Sequence, residues 1–85
     1  METMYSPDGM ARKKIREWLT DGQPKDTCVR SLMERTGASA QTIQHVLGLM
    51  QSVNEIELSG SYLGTDFEDH FEIRAIPQTP RDPAR

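Results

Sequence analysis

The sequence predicts a small α+β domain, three helices followed by a two-stranded antiparallel hairpin, on three observations. Apolar residues recur at helical spacing in three blocks that end near Leu19, Met33 and Met50. Two glycine-containing stretches, Asp21-Gly22-Gln23-Pro24 and Thr36-Gly37-Ala38-Ser39, separate the blocks. After Val53-Asn54 the apolar period falls from about 3.6 residues to about two, the change from a helix to a half-buried strand.

The first helix is expected to open at Ser6, a capping residue, with Pro7 in the first turn where its missing N–H costs nothing and Asp8 beside the positive end of the dipole. Met10 or Ala11, Ile15, Trp18 and Leu19 form its apolar face through about Thr20, where Gly22 and Pro24 stop it. Asp26 or Thr27 is expected to cap the second helix, which turns Val29, Leu32 and Met33 inward and ends at Gly37. Cys28 reads as a small hydrophobe beside that face. Gly37 supplies the positive φ of a sharp turn, Ser39 caps the third helix, and Ile43, Val46, Leu47 and Met50 are its core stripe.

Glu55-Ile56-Glu57-Leu58 then alternates polar and apolar, as does His70 to Ile76, with Phe71, Ile73 and Ala75 on one side. A connection containing Gly60 and Gly64 joins them into a hairpin. The domain is expected over residues 8–76. Residues 1–7 read as a flexible N-terminus and the Pro-rich residues 77–85 as a disordered tail with nothing to bury.

A chain of 85 residues allows one domain and no roomy substrate cleft. No apolar run approaches the roughly 20 residues that cross a bilayer, and no membrane partner is expected. The single cysteine excludes an internal disulfide and a cysteine-based zinc site and points to a reducing cytoplasm. Catalysis has little support: His45 and His70 lie on different elements with no nucleophile at a matching spacing, and Gly60 and Gly64 lack the Lys and helix of a phosphate loop. Asp66, Glu68, Asp69 and His70 lack the spacing of a calcium loop, so no metal and no cofactor is expected.

Charge is distributed unevenly. Arg12, Lys13, Lys14 and Arg16 cluster on the first helix, with Lys25 and Arg30 near the expected start of the second and Arg35 at its end. From Gly37 to Ile76 the one Lys or Arg is Arg74, against Glu55, Glu57, Asp66, Glu68, Asp69 and Glu72. The basic cluster is open to two readings, a solvated helix face or a set of phosphate contacts. Gln41, Thr42, Gln44 and His45 on the outer side of the third helix are similarly open, to solvent or to a ligand. Tyr62, Leu63 and Phe67 lie in the hairpin connection and either fold back onto the core or form an association patch.

The stretch VRSLMERTGASAQTIQHVLGLMQSVNEIEL, within a resemblance covering roughly residues 10–76, resembles the winged helix-turn-helix superfamily of bacterial and phage regulators. Gly37 at the turn, Ser39 as cap and Ile43 with Leu47 as inward anchors carry the likeness. The resemblance implies a cytoplasmic transcriptional regulator, a homodimer on double-stranded DNA, reading the major groove with residues 39–52. Ser39, Gln41, Thr42, Gln44 and His45 would face base edges and phosphates, since Gln can pair with adenine through two hydrogen bonds. Arg12, Lys13, Lys14, Arg16, Lys25, Arg30 and Arg35 would hold the backbone.

Two departures set limits on that expectation. The third helix carries no Lys or Arg, and the hairpin connection carries Asp66, Glu68 and Asp69, which duplex phosphates repel. The alternative is an interaction module or inhibitor, including a nucleic-acid mimic, that presents Tyr62, Leu63, Asp66, Phe67, Glu68 and Asp69 to a protein partner.

Overall fold

A computed structural model describes residues 7–77; the expected cap Ser6, the N-terminal residues before it and the tail from residue 78 lie outside the described residues. The chain runs α1 (Pro7–Trp18), β1 (Lys25–Cys28), α2 (Val29–Thr36), α3 (Ala40–Ser52), β2 (Ile56–Ser59) and β3 (His70–Ala75). The class is α+β, as expected. The sheet, however, has three antiparallel strands in the order β1-β3-β2, and the expected two-stranded hairpin forms only its β2–β3 part.

The additional strand comes from residues read as a helix start. Lys25 lies opposite Ile73, Asp26 opposite Glu72, Thr27 opposite Phe71 and Cys28 opposite His70. Neither Asp26 nor Thr27 caps α2: Thr27 is buried on the inner side of the sheet beside Phe71, and Asp26 points outward. Lys25 belongs to this strand as well, not to the helix. Cys28 takes the capping position in an extended conformation without a side-chain bond to the helix amides, its thiol donating instead to Ser31 Oγ at 3.5 Å. The open amide of α2 is met from elsewhere, because the Phe67 carbonyl accepts a hydrogen bond from Arg30 N–H at 2.9 Å.

α1 ends at Trp18, slightly before the expected Thr20, in a turn that Asp21 organises. Its carboxylate accepts the Gln23 amide at 3.0 Å and the Lys25 ammonium at 3.0 Å, and these two contacts, the amide first, hold its pKa below the ordinary aspartate value. At the other end of the helix pair, Gly37 closes α2 with φ of +78° and donates its N–H to Met33 O at 2.7 Å. Side chains in that conformation clash with their own backbone, so Gly37→Ala is expected to cost about 1 kcal/mol. Urea unfolding of the two proteins checks this, and equal midpoints would contradict it.

The three helices and the sheet close on one core. Ala11 and Ile15 enter it from α1 and Leu19 from the turn just after it, Val29 and Leu32 from α2, and the full expected stripe Ile43, Val46, Leu47 and Met50 from α3. Ile56, Phe71 and Ile73 form the sheet's side, with Leu58 and Ala75 half-buried at its margin. Of the two α1 positions open to the core, Ala11 takes it and Met10 stays outside. Cys28 is a free, buried thiol. No helix among the described residues is long and apolar enough to cross a membrane.

Candidate nucleic-acid interface

The site is built around the start of α3. Ser39 is extended, and its hydroxyl accepts the Thr42 amide at 3.2 Å and donates to the Thr42 hydroxyl at 3.2 Å. This cap fixes the angle at which α3 leaves the turn, and it engages Thr42. With Ile43, Val46, Leu47 and Met50 inward, the helical repeat turns Gln41, His45, Gly48 and Ser52 outward. Gln41 is exposed, and its amide has no hydrogen-bond partner among the described residues.

The other expected readers are engaged. Gln44 Nε2 donates to the carbonyls of Tyr62 and Gly64, each at 3.0 Å, so both of its amide hydrogens go to the loop between β2 and β3. In this conformation Gln44 cannot make the two-bond pair with adenine that the sequence suggests, because that pair needs a free N–H. His45 Nε2 lies 3.3 Å from Asp8 Oδ2, on the flank of α3 that meets the start of α1.

That loop, residues 60–69, lies over α3 one turn beyond Gln44. The Tyr62 hydroxyl sits 3.2 Å from where a side chain at Gly48 would begin, so the ring rests on a helix surface that glycine leaves flat. The same hydroxyl donates to Gln51 Oε1 at 3.5 Å, and the ring meets Phe71 edge-on with centroids 6.3 Å apart. Phe67 packs against the core as well. Of the three apolar residues in this connection, Tyr62 and Phe67 fold back onto the core, and Leu63 stays out at 67% exposure. Asp66 spends its carboxylate on the Glu68 amide at 3.0 Å and its carbonyl on the Asp69 amide at 3.1 Å, which makes it the residue that shapes the turn.

The basic cluster does not act as one patch. Arg12 and Arg16 converge on the two oxygens of Glu55, at 2.9 and 3.2 Å. Lys25 pairs with Asp21 and Arg30 reaches Glu68 at 3.5 Å. Arg35 lies over the Trp18 ring, its guanidinium carbon 4.3 Å from the ring centroid, with Lys25 Nζ at 5.8 Å from the same ring. Lys13 and Lys14 are exposed and have no carboxylate within ion-pair distance among the described residues. Exposed pairs such as Arg30–Glu68 contribute at most about 1 kcal/mol, so Arg30 can be recruited by a phosphate, whereas Arg12 is held by a half-buried Glu55.

Sequence reasoning missed Glu55, Trp18 as a cation platform and the Phe67 carbonyl, because each acts across the fold and none has a local pattern. The acidic character is wider than the loop. On the outer side of the sheet Asp26 lies opposite Glu72, with His70 Nδ1 2.7 Å from Asp26, and Glu57 pairs with Arg74. The chain matches no protein-family model, no curated protein and no solved structure.

Proposed function

We propose that the chain is a winged helix-turn-helix protein that binds duplex DNA, with the first turns of α3 in the major groove. The observation that carries this reading is the path α2, a sharp turn at Gly37, α3, then a β-ribbon that returns beside α3 and is completed by β1. That arrangement presents one end of α3 outward with a loop on its flank, which is how a helix enters a groove about 12 Å wide. The step from architecture to ligand is an analogy of fold, so the chemistry has to be argued residue by residue.

Gln41 takes the reading role that the sequence divides between two glutamines, supported by Ser39 and Thr42 at the first turn. Among the described residues, Lys13, Lys14, Arg30 and Arg35 are cations without a carboxylate partner or weakly enough held to meet phosphates. Arg12 and Arg16 brace Glu55 and belong to the fold. With about three or four phosphate contacts, log K is expected to fall with log salt at a slope of about −3. Fluorescence anisotropy with a labelled mixed-sequence duplex, at ionic strengths from low to physiological, tests the reading. Absence of binding to any duplex at the lowest salt rejects it.

A second reading is favoured by one specific observation. Leu63 is exposed beside Asp66, Glu68 and Asp69, and Gln44 pins the carbonyls on either side of it. A fixed apolar side chain among carboxylates suits a protein partner with a basic rim. Homodimerisation, which a palindromic site requires, belongs with the DNA reading, and sedimentation equilibrium measures it directly.

A further inference from the structure

We infer that the β2–β3 loop is a latch on α3, and that a duplex gains Gln44 as a base-reading side chain only when the loop swings away. The inference rests on the DNA reading and adds to it a regulated step.

Polar contacts to α2 and α3 hold the loop closed, together with Tyr62 and Phe67 packed against the core. On α3, Gln44 spends both amide hydrogens on Tyr62 O and Gly64 O. One turn on, the Tyr62 ring lies over Gly48 with its hydroxyl toward Gln51. On α2, Phe67 O accepts the Arg30 amide and Glu68 faces the Arg30 guanidinium. Between that point and the turn, Phe67, Met33, Glu34 and Ala38 border an open cleft of about 360 Å³, so the loop is not packed continuously along α2. Several of the polar contacts are solvent-facing, and only Tyr62 and Phe67 reach the core, the kind of attachment that opens locally without unfolding the domain.

A duplex approaching α3 acts on this latch in one direction. Phosphates repel Asp66, Glu68 and Asp69, which lowers the stability of the closed loop. A phosphate also competes with Glu68 for Arg30. Once the loop leaves, Gln44 regains a donor beside its free acceptor, the set that matches adenine N7 and N6. The duplex therefore prefers the open state by the contacts it makes only there, and binding through Gln44 is weakened in proportion to the fraction of molecules in which the loop is already open.

The test compares wild type, Tyr62→Ala, Gln44→Ala and the double variant for duplex binding, with amide hydrogen exchange on each protein. Tyr62→Ala removes the ring over Gly48 and is expected to speed exchange at Arg30, whose amide hydrogen goes to Phe67, and to tighten duplex binding by about tenfold. Adding Gln44→Ala should cancel the gain, because the released side chain is the one that profits. Faster exchange with unchanged or weaker binding overturns the latch while leaving the DNA reading intact. If no form binds any duplex, the DNA reading falls and the latch with it. The wild-type protein supplies a measurement that survives misfolding of a variant: saturating duplex should accelerate exchange at Arg30, and slower exchange there means that the loop docks closed.

Discussion

Leu47→Ala is expected to lower the unfolding free energy by about 3 kcal/mol and the melting temperature by about 15 °C. Leu47 is fully buried on α3, in the same cluster as Ile15 of α1 and Ile73 of β3, so the deletion opens a cavity where the three layers meet. A domain of this size has a total stability of about 5 kcal/mol, and such a loss leaves about 2 kcal/mol, which raises the unfolded fraction to a few per cent. Thermal unfolding followed by far-UV circular dichroism measures it. Leu63→Ala is the internal comparison: the side chain is 67% exposed, and its removal should change stability by less than about 0.5 kcal/mol. Equal losses for the two variants would mean that α3 does not carry the core.

The second large effect concerns charge. Replacing Lys13 and Lys14 together by Glu is expected to reduce duplex affinity by about a hundredfold at low salt and to flatten the salt slope by about two. Both side chains are exposed and neither has a carboxylate partner among the described residues, so melting should be nearly unchanged. By contrast, Arg12→Glu would place a carboxylate against Glu55 and destabilise the fold, which makes it a poor probe of binding. Unchanged affinity for the Lys13, Lys14 variant would move the contact surface off α1.

What the sequence made legible was local. Gly37 and Ser39 have the conformations their residue types suggest because a positive φ and a helix cap are settled within a few positions of the chain. The stripe from Ile43 to Met50 and the alternation around Phe71 were readable for the same reason, since burial imposes a period on each element.

The strand Lys25–Cys28 was not legible. Four residues with one charge of each sign carry no periodic signal, Asp26 and Thr27 are good caps in isolation, and the partner that makes them a strand is β3, far along the chain. Tertiary pairing overrode local propensity there. The site divided along the same line. Gln41 could be placed from the α3 repeat, whereas the engagement of Gln44 depends on where Tyr62 and Gly64 fall, and the pairing of Arg12 and Arg16 depends on Glu55. Loop carbonyls and long-range carboxylates leave no spacing to read.

Taken together, the acidic balance of the chain and the engagement of most of its cations set a weak, salt-sensitive grip as the expectation for this helix pair. A nitrogen–proton correlation titration of the labelled protein with a mixed-sequence duplex at low salt tests the central claim most directly. Shifts at Ser39, Gln41, Thr42, Lys13, Lys14 and the start of α2, joined by Gln44 and residues 60–69 as the loop opens and fading as salt rises, are what the account predicts. Shifts centred on the outer side of the sheet, at Glu57, Glu72 and Arg74, or a spectrum that the duplex leaves unmoved, would contradict it.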